Sequence, residues 1–238
     1  MIELHQYPGS WGLPSSSPFC IKVETYLLIT QIPYKTVWEN NPGRGPKGKM
    51  PFIKDQKKVI ADSSFILEYL QSNYEPNLDL NMDETQKVIM LAFQRLIEES
   101  LYWVLLYSRW GDTQGWQEIK KEITPMLPPL IGKAIIHIIR KNLLRQAYAQ
   151  GMGRHTREEI YSIGKSNIEA LAKFLENKPY FFGDKPRSID CSFYSFLITI
   201  LQSPVTGPLQ DYTKSFVNLR EYCARISEKY WQTDGNNC

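Results

Sequence analysis

The sequence predicts an α/β domain over residues 1–76, followed by an all-α domain over residues 82–238. Two observations support this division. In the first third of the chain, short strand-like runs alternate with helical patterns. Beyond the linker Glu75–Asn81, strand signals stop and long helical periodicities take over.

The first domain is predicted to have the order strand, helix, strand, loop, strand, strand, helix. Gly- and Pro-rich segments separate these elements, and a tight turn around Asp55–Gln56 joins the last two strands. This order is that of a thioredoxin-like fold. The predicted strands are Ile2–Tyr7, Lys35–Trp38, Pro51–Lys54 and Lys57–Ala61, and the predicted helices are Pro18–Thr30 and Ser63–Tyr74.

The second domain is predicted to consist of helices. A capping box, Thr156 with Glu159, marks one helix start. The polar end Thr233–Cys238 is expected to be frayed. The predicted helices are Asp83–Gly111, Leu130–Gln150, Thr156–Asn177, Ser188–Gln202 and Ser215–Tyr230.

Composition excludes several functional classes. The net charge of +3 is too small to indicate a nucleic-acid surface. The four cysteines are far apart, and the histidines lack metal-ligand spacing, so we predict neither a disulfide framework nor a metal site. The N-terminus lacks the pattern of a signal peptide, and no apolar stretch reaches the roughly 20 residues of a membrane span. We therefore expect a cytoplasmic protein with reduced thiols.

The first candidate site is Ser17-Pro18-Phe19-Cys20, between a strand and a helix. A hydroxyl at a helix N-terminus can donate to a thiolate and favour ionisation of the thiol. The alternative role for Ser17 is that of a helix cap with Pro18 at the first helical position, and on position alone the cap is favoured. Cys20 lacks a second cysteine at position 17, so it forms no CxxC redox pair.

Two further candidate sites follow. In the second, Pro51 at a strand start would, if cis, turn the Met50 backbone outward to pair with a peptide-like ligand, while Lys49 could reach a carboxylate. In the third, Ser63 would meet an anion at a helix N-terminus, and Asp62 would pair with an ammonium group. The alternatives are an ordinary loop-to-strand junction and a simple helix cap.

Together the three sites match glutathione along its length: its thiol, its peptide backbone, and its α-amino and α-carboxylate groups. At this point the sequence resembles the glutathione-transferase superfamily, in its serine-type active-site region. More narrowly, it resembles the failed-axon-connections and metaxin-like branch. The segments that carry the likeness are Ser17–Glu24, Pro46–Ile53, Ile60–Leu70, Phe93–Trp110, Gly151–His155 and Lys178–Pro186.

The resemblance implies that Ser17 stabilises the glutathione thiolate. It further implies that Lys49, Met50, Asp62 and Ser63 hold glutathione as a cosubstrate, and that Pro51 is cis. Members of the superfamily are often dimers, so a homodimer is among the expected partners. The expected architecture is a thioredoxin-like glutathione-binding domain followed by an all-helical domain.

Two features of the helical domain have open interpretations. Tyr102, Trp103 and Tyr107 either line an apolar pocket for an electrophile or pack in the core. Arg109 beside them either stabilises developing negative charge or pairs with Glu98 or Glu99. The basic amphipathic helix Leu130–Gln150 either packs as the second helix of a hairpin, the commoner arrangement, or lies on a membrane surface.

The sequence therefore predicts a transferase in which Ser17 activates glutathione for attack on a small electrophile. The alternative is a scaffold or binding protein of the same fold with little catalysis, in contact with a membrane. Thiol–disulfide chemistry through Cys20 is disfavoured by the missing partner cysteine.

Overall fold

The computed structural model describes residues 1–231, so the prediction for Thr233–Cys238 lies outside the described residues. The predicted fold class is confirmed. A four-stranded mixed sheet in the order β2-β1-β3-β4 forms the N-terminal part, with two helices. Its elements are β1 (Ile2–Gln6), α1 (Pro18–Thr30), β2 (Tyr34–Trp38), β3 (Phe52–Asp55), β4 (Lys58–Ala61) and α2 (Ser63–Asn73).

Strand pairing brings three chain segments to one edge of this sheet. β1 and β2 are parallel, with α1 as the crossover between them, whereas β3 runs antiparallel to both β1 and β4. His5, Phe52 and Ala61 lie side by side across three strands. The segments after β1, before β3 and after β4 therefore lie at the same edge.

From Glu84 to Trp231 the described chain is helical with connecting turns. The long helix predicted over Asp83–Gly111 is interrupted by a π-helical segment, Leu96–Leu101. The helices are α3 (Glu84–Arg95), α4 (Tyr102–Trp110), α5 (Thr113–Ile123), α6 (Gly132–Gln150), α7 (Arg157–Leu175), α8 (Ser188–Leu201), α9 (Pro208–Ser215) and α10 (Val217–Ile226).

Further helix assignments differ from the sequence prediction. α5 was not predicted: it is a short helix capped by Asp112, and only Trp116 and Ile119 among its large apolar side chains are buried. α9 was also not predicted, and the helix predicted from Ser215 begins only at Val217, because the chain turns at Phe216 between α9 and α10. Phe216 has an extended backbone and caps α10.

The sheet and the helical part share a packed boundary. α8 is buried along nearly its whole length and packs against α1. Cys191 of α8 belongs to the core of the sheet, whereas Ile21 of α1 belongs to the helical core. Among the described residues, no helix is both long and apolar enough to cross a membrane.

Candidate functional site

The site lies at the sheet edge where the three segments meet. Cys20 of α1 packs with Met50 and Phe52, and Tyr7 and Ala61 complete this small cluster. The cluster fixes the start of α1, the turn before β3 and the end of β4 against one another. The structure thus brings the Ser17, Met50 and Asp62 segments together, as the sequence predicts.

Ser17 is the N-cap residue of α1 by its backbone, but its hydroxyl does not cap the helix. Its carbonyl oxygen accepts hydrogen bonds from the backbone N–H groups of Cys20 and Ile21, both at 3.1 Å. Its side chain makes no capping hydrogen bond. The half-buried hydroxyl is therefore not used as a cap; it lies close to the Cys20 thiol, at the positive end of a helix dipole, where a thiolate is favoured.

Cys20 is fully buried one turn further along α1. Burial raises the pKa of its thiol to about 11, an increase that hydrogen bonds from the Tyr7 backbone and from Ser15 and Ser17 only partly offset. Because the reactive form of cysteine is the thiolate, Cys20 is a packing residue here and not a nucleophile at neutral pH.

The Met50–Pro51 peptide bond is cis, as the resemblance implies. Met50 is buried, 6% exposed. Lys49 is exposed, and its Nζ lies 3.5 Å from Oε1 of Gln146 on α6. The lysine therefore lies between the sheet edge and α6, with a weak contact that a ligand carboxylate could replace.

Asp62 and Ser63 begin α2. Asp62 has a φ of +86°, an uncommon backbone conformation for a residue other than glycine, and its Oδ1 accepts a hydrogen bond from the Ser64 N–H at 3.0 Å. Ser63 is buried, and its hydroxyl accepts a hydrogen bond from Lys22 Nζ at 3.3 Å. Asp62 itself is exposed at the start of the helix.

The predicted aromatic residues of α4 divide into two groups. The Tyr102 ring lies 5.2 Å from that of Phe19, two residues after Ser17, and 5.1 Å from that of Trp103. Tyr107 instead packs edge-on against Tyr161 of α7, at 6.2 Å. The structure therefore places Tyr102 against Phe19, with Trp103 against Tyr102, and gives Tyr107 a packing contact within the helical part.

Arg109 is buried beside Ser16, the residue before Ser17. Its Nη1 donates to the carbonyl oxygen of Ser16 at 3.0 Å, and its guanidinium lies over the Trp11 ring at 5.2 Å. Within residues 1–231, neither its Nε nor its Nη2 has a hydrogen-bond partner. Burial lowers the pKa of this guanidinium to about 10, so it stays charged at neutral pH.

The alternative pairing of Arg109 with Glu98 or Glu99 is wrong. Glu98 binds Lys22 at 2.6 Å, and Glu99 binds Arg95 at 3.5 Å. Both acidic side chains thus have other cationic partners. Arg109 is left with unpaired donors next to the segment that carries Ser17.

Sequence reasoning missed two neighbours of the site. Tyr7 ends the predicted first strand, but its side chain joins the Cys20 cluster, and burial raises its pKa to about 12. Trp11 lies in the loop after β1 and stacks under Arg109. Neither residue lies in a distinctive sequence pattern. The one feature that could have indicated a role at the site is their position directly after β1. Among residues 1–231, no group of three or more His, Cys, Asp or Glu side chains has a metal-binding arrangement.

Family comparison agrees with this geometry. Residues 18–115 match the sequence model of the glutathione S-transferase N-terminal domain, and residues 164–226 match that of the C-terminal domain. An isoprene-epoxide–glutathione S-transferase from Rhodococcus is 34% identical over 97% of this chain and 99% of its own length. The chain belongs to the glutathione S-transferase superfamily.

Within the superfamily the chain lies in the metaxin-like branch. Failed axon connections from Drosophila melanogaster is 32% identical over 96% of this chain, which spans 58% of that protein. Metaxin-1 from Macaca fascicularis is 30% identical over 98% of this chain and 76% of its own length. This placement agrees with the resemblance seen in the sequence.

Solved structures show the same fold. Glutathione transferase GSTFuA3 from Phanerochaete chrysosporium superposes with a TM-score of 0.67 at 18% identity, covering 98% of both chains. A glutathione S-transferase from Ceriporiopsis subvermispora in complex with glutathione also has a TM-score of 0.67 at 18% identity, covering 98% of this chain and 99% of its own. At this identity the likeness concerns the fold.

Proposed function

We propose that this glutathione S-transferase-family protein binds glutathione at the sheet edge and transfers it to a small electrophile. The observation that carries the proposal is the Ser17 hydroxyl. It lies at the N-terminus of α1, makes no capping bond, and shares the sheet edge with the Met50 and Asp62 segments. The glutathione-bound structural neighbour and the isoprene-epoxide transferase support the choice of ligand.

Each part of glutathione has a proposed partner. The Asp62 carboxylate attracts the α-ammonium group, and the N-terminus of α2 at Ser63 attracts the α-carboxylate. The Met50 backbone pairs with the peptide, and Lys49 reaches the carboxylate at its other end. Ser17 donates a hydrogen bond to the sulfur. Because this bond is stronger to the thiolate than to the thiol, it lowers the pKa of the bound thiol.

The proposed electrophile is a small epoxide or a compound of similar polarity. The thiolate sulfur attacks an epoxide carbon, the C–S bond forms, and the C–O bond breaks with its electron pair on oxygen. The oxygen then takes a proton from water. Tyr102 and Trp103 supply apolar walls, and the unpaired N–H groups of Arg109 donate to the oxygen as its negative charge grows.

Calorimetric titration with glutathione tests the binding site, and conjugation of isoprene epoxide tests the reaction. Asp62→Asn is the sharpest variant, because asparagine caps helices as well as aspartate and also tolerates positive φ. It should keep the fold and lose affinity by roughly tenfold, the effect of one charge-assisted hydrogen bond. Asp184→Asn, at another exposed aspartate, is the matched control. Unchanged affinity in Asp62→Asn would remove Asp62 from the site.

The similarity to Metaxin-1 and to Failed axon connections, whose names state no activity, favours a second function. In that case the protein is a binding or scaffold protein that keeps the fold with little catalysis. Glutathione binding without conjugation of any epoxide or aryl halide tested would favour this function. We further propose a cytoplasmic location, because Cys20, Cys191 and Cys223 are free thiols.

A further inference from the structure

Charge is distributed unevenly along the chain. Residues 123–157 contain no Asp or Glu, although the whole chain has 25. The basic residues in this stretch outnumber the chain's formal net charge of +3, so the rest of the chain is net acidic. They are Lys133, Arg140, Lys141, Arg145, Arg154 and Arg157.

α6, at the centre of this stretch, packs through one side. Ile136 and Ala147 are buried and lie eleven residues apart, three helical turns, so they mark the inward face. Ile131 and Ile138, seven residues apart, lie on the opposite face and are 56% and 59% exposed. The outward face of α6 is therefore partly aliphatic.

The turn before α6 extends this apolar surface. Leu130 is 98% exposed, and Met126 is 57% exposed. We define the hairpin surface as Met126, Leu130, Ile131, Lys133, Ile138 and Lys141. It combines exposed aliphatic side chains with two lysines, and it lies at one end of the α5–α6 hairpin.

The basic residues of α6 differ in their contacts. Arg140 is held by the Trp110 carbonyl oxygen at 2.8 Å and by the Trp116 ring, so it belongs to the packing. Lys133 and Lys141, in contrast, are exposed and form no ion pair with any residue of the described chain.

A groove of about 550 Å³ between α5 and α6 adds to this positive field. Lys120, Lys121 and Lys133 line it, together with His137. Among residues 1–231, its lining includes no acidic side chain. A phosphate-bearing headgroup matches the charge of such a groove.

We propose that the hairpin surface binds the surface of a membrane containing anionic lipids. Exposed aliphatic residues beside unpaired lysines are the composition of helices that lie at a lipid interface. Protein interfaces instead favour aromatic residues and are depleted in lysine. This inference does not depend on the glutathione site, which lies at the sheet edge.

Vesicle co-sedimentation of the full-length protein tests the proposal. The protein should bind vesicles of phosphatidylcholine with phosphatidylserine, and not vesicles of phosphatidylcholine alone. Binding should weaken as salt rises, because the attraction acts over a Debye length of about 8 Å at physiological ionic strength. Equal binding to both kinds of vesicle, or to neither, would overturn the proposal.

Two double variants and their controls locate the binding surface. Lys133→Glu with Lys141→Glu should lower the partition coefficient by roughly 25-fold or more, since each basic residue near an anionic surface contributes about fivefold. Lys57→Glu with Lys185→Glu makes the same change of net charge at exposed lysines elsewhere and should keep binding. An equal loss in both pairs would contradict the proposed location.

The apolar contribution is tested in the same way. Ile131→Ser with Ile138→Ser should reduce binding, whereas Val88→Ser with Leu91→Ser, at exposed positions of α3, should not. Light scattering distinguishes a protein interface. If Ile131→Ser with Ile138→Ser breaks an oligomer of this chain and vesicle binding is absent, the surface binds protein and the lipid proposal is wrong.

Discussion

The ammonium group of Lys22 on α1 lies 2.6 Å from the carboxylate of Glu98 in the π-helical segment, and both side chains are buried. The Ser192 hydroxyl of α8 donates to the same carboxylate at 2.7 Å. Lys22 also donates to the hydroxyls of Ser63 and Ser64 at 3.3 and 3.1 Å. This network joins the start of α2, where the glutathione headgroup is proposed to bind, to the helical part.

Loss of Glu98 should destabilise the protein strongly. Glu98→Leu leaves the Lys22 ammonium buried without an anion, and the free energy of unfolding should fall by about 3–5 kcal/mol. Urea denaturation measures this change. The double variant Lys22→Met with Glu98→Leu removes both charges and should lose markedly less. If the double variant is as unstable as the single one, the pair is not the source of the effect.

Asp190 should make stability depend on pH. Its carboxylate accepts hydrogen bonds from the Phe181 and Arg187 backbone N–H groups and from the Tyr222 hydroxyl, all at 2.8 Å. Burial nevertheless raises the pKa of Asp190 from 3.8 to about 6, despite these hydrogen bonds. The folded state therefore holds this proton more tightly than the unfolded state does.

The stability from protonated Asp190 is complete below pH 4 and is lost as the pH rises through 6. Between these values it should fall by about 2–3 kcal/mol. The asparagine of Asp190→Asn does not titrate. The unfolding free energy of the wild type, relative to that of the variant, should therefore be higher at pH 4 than at pH 7. Urea denaturation at both pH values measures it, and a constant difference would contradict the raised pKa.

Cys20 should resist alkylation in the folded protein. Its thiol is fully buried, and its pKa is raised to about 11 by burial. At neutral pH, iodoacetamide should modify it only after denaturant is added, as mass spectrometry of the peptides would detect. Cys20→Ala should keep conjugation activity. Rapid labelling of Cys20 in native protein, with loss of activity, would restore the thiol–disulfide hypothesis.

Arg109 should contribute to rate and not to stability. Arg109→Met removes two buried nitrogens, Nε and Nη2, that have no partner in the described chain, but also the hydrogen bond from Nη1 to the Ser16 carbonyl oxygen and the contact with Trp11, so the free energy of unfolding should change little. Conjugation of isoprene epoxide should fall by about tenfold to a hundredfold in kcat/KM, the value of a hydrogen bond from a charged group. Glutathione affinity, measured by calorimetry, should be unchanged. A variant that is unstable but fully active when folded would assign Arg109 to packing alone.

Local signals were enough to predict the three candidate segments of the site. Ser17, Met50 and Asp62 each lie where a helix or strand begins, and such positions have distinctive residue types. Strand register then brings them together, which follows from the order of the elements. This is why the fold class, and the meeting of the three segments at one edge of the sheet, could be predicted from the sequence; the binding of glutathione there stays a prediction.

Long-range pairs were not predictable in this way. Lys22 and Glu98 are 76 positions apart, and no local pattern links a lysine within an apolar helix to one of several glutamates. Tyr102 and Tyr107 both follow the π-helical segment within α4 and are five residues apart, about 140° around the helix axis. Tyr102 and Tyr107 consequently contact different neighbours.

The most direct test of the proposed function is the pKa of the glutathione thiol when bound. The ultraviolet absorbance of the thiolate, followed against pH in the presence of saturating protein, gives this value for the wild type and for Ser17→Ala. The account predicts a bound thiol pKa clearly below the free value of about 8.5, with Ser17→Ala raising it by about one to two units at unchanged glutathione affinity. The same thiol pKa in both proteins would contradict the role of Ser17 and leave its hydroxyl without a part in catalysis.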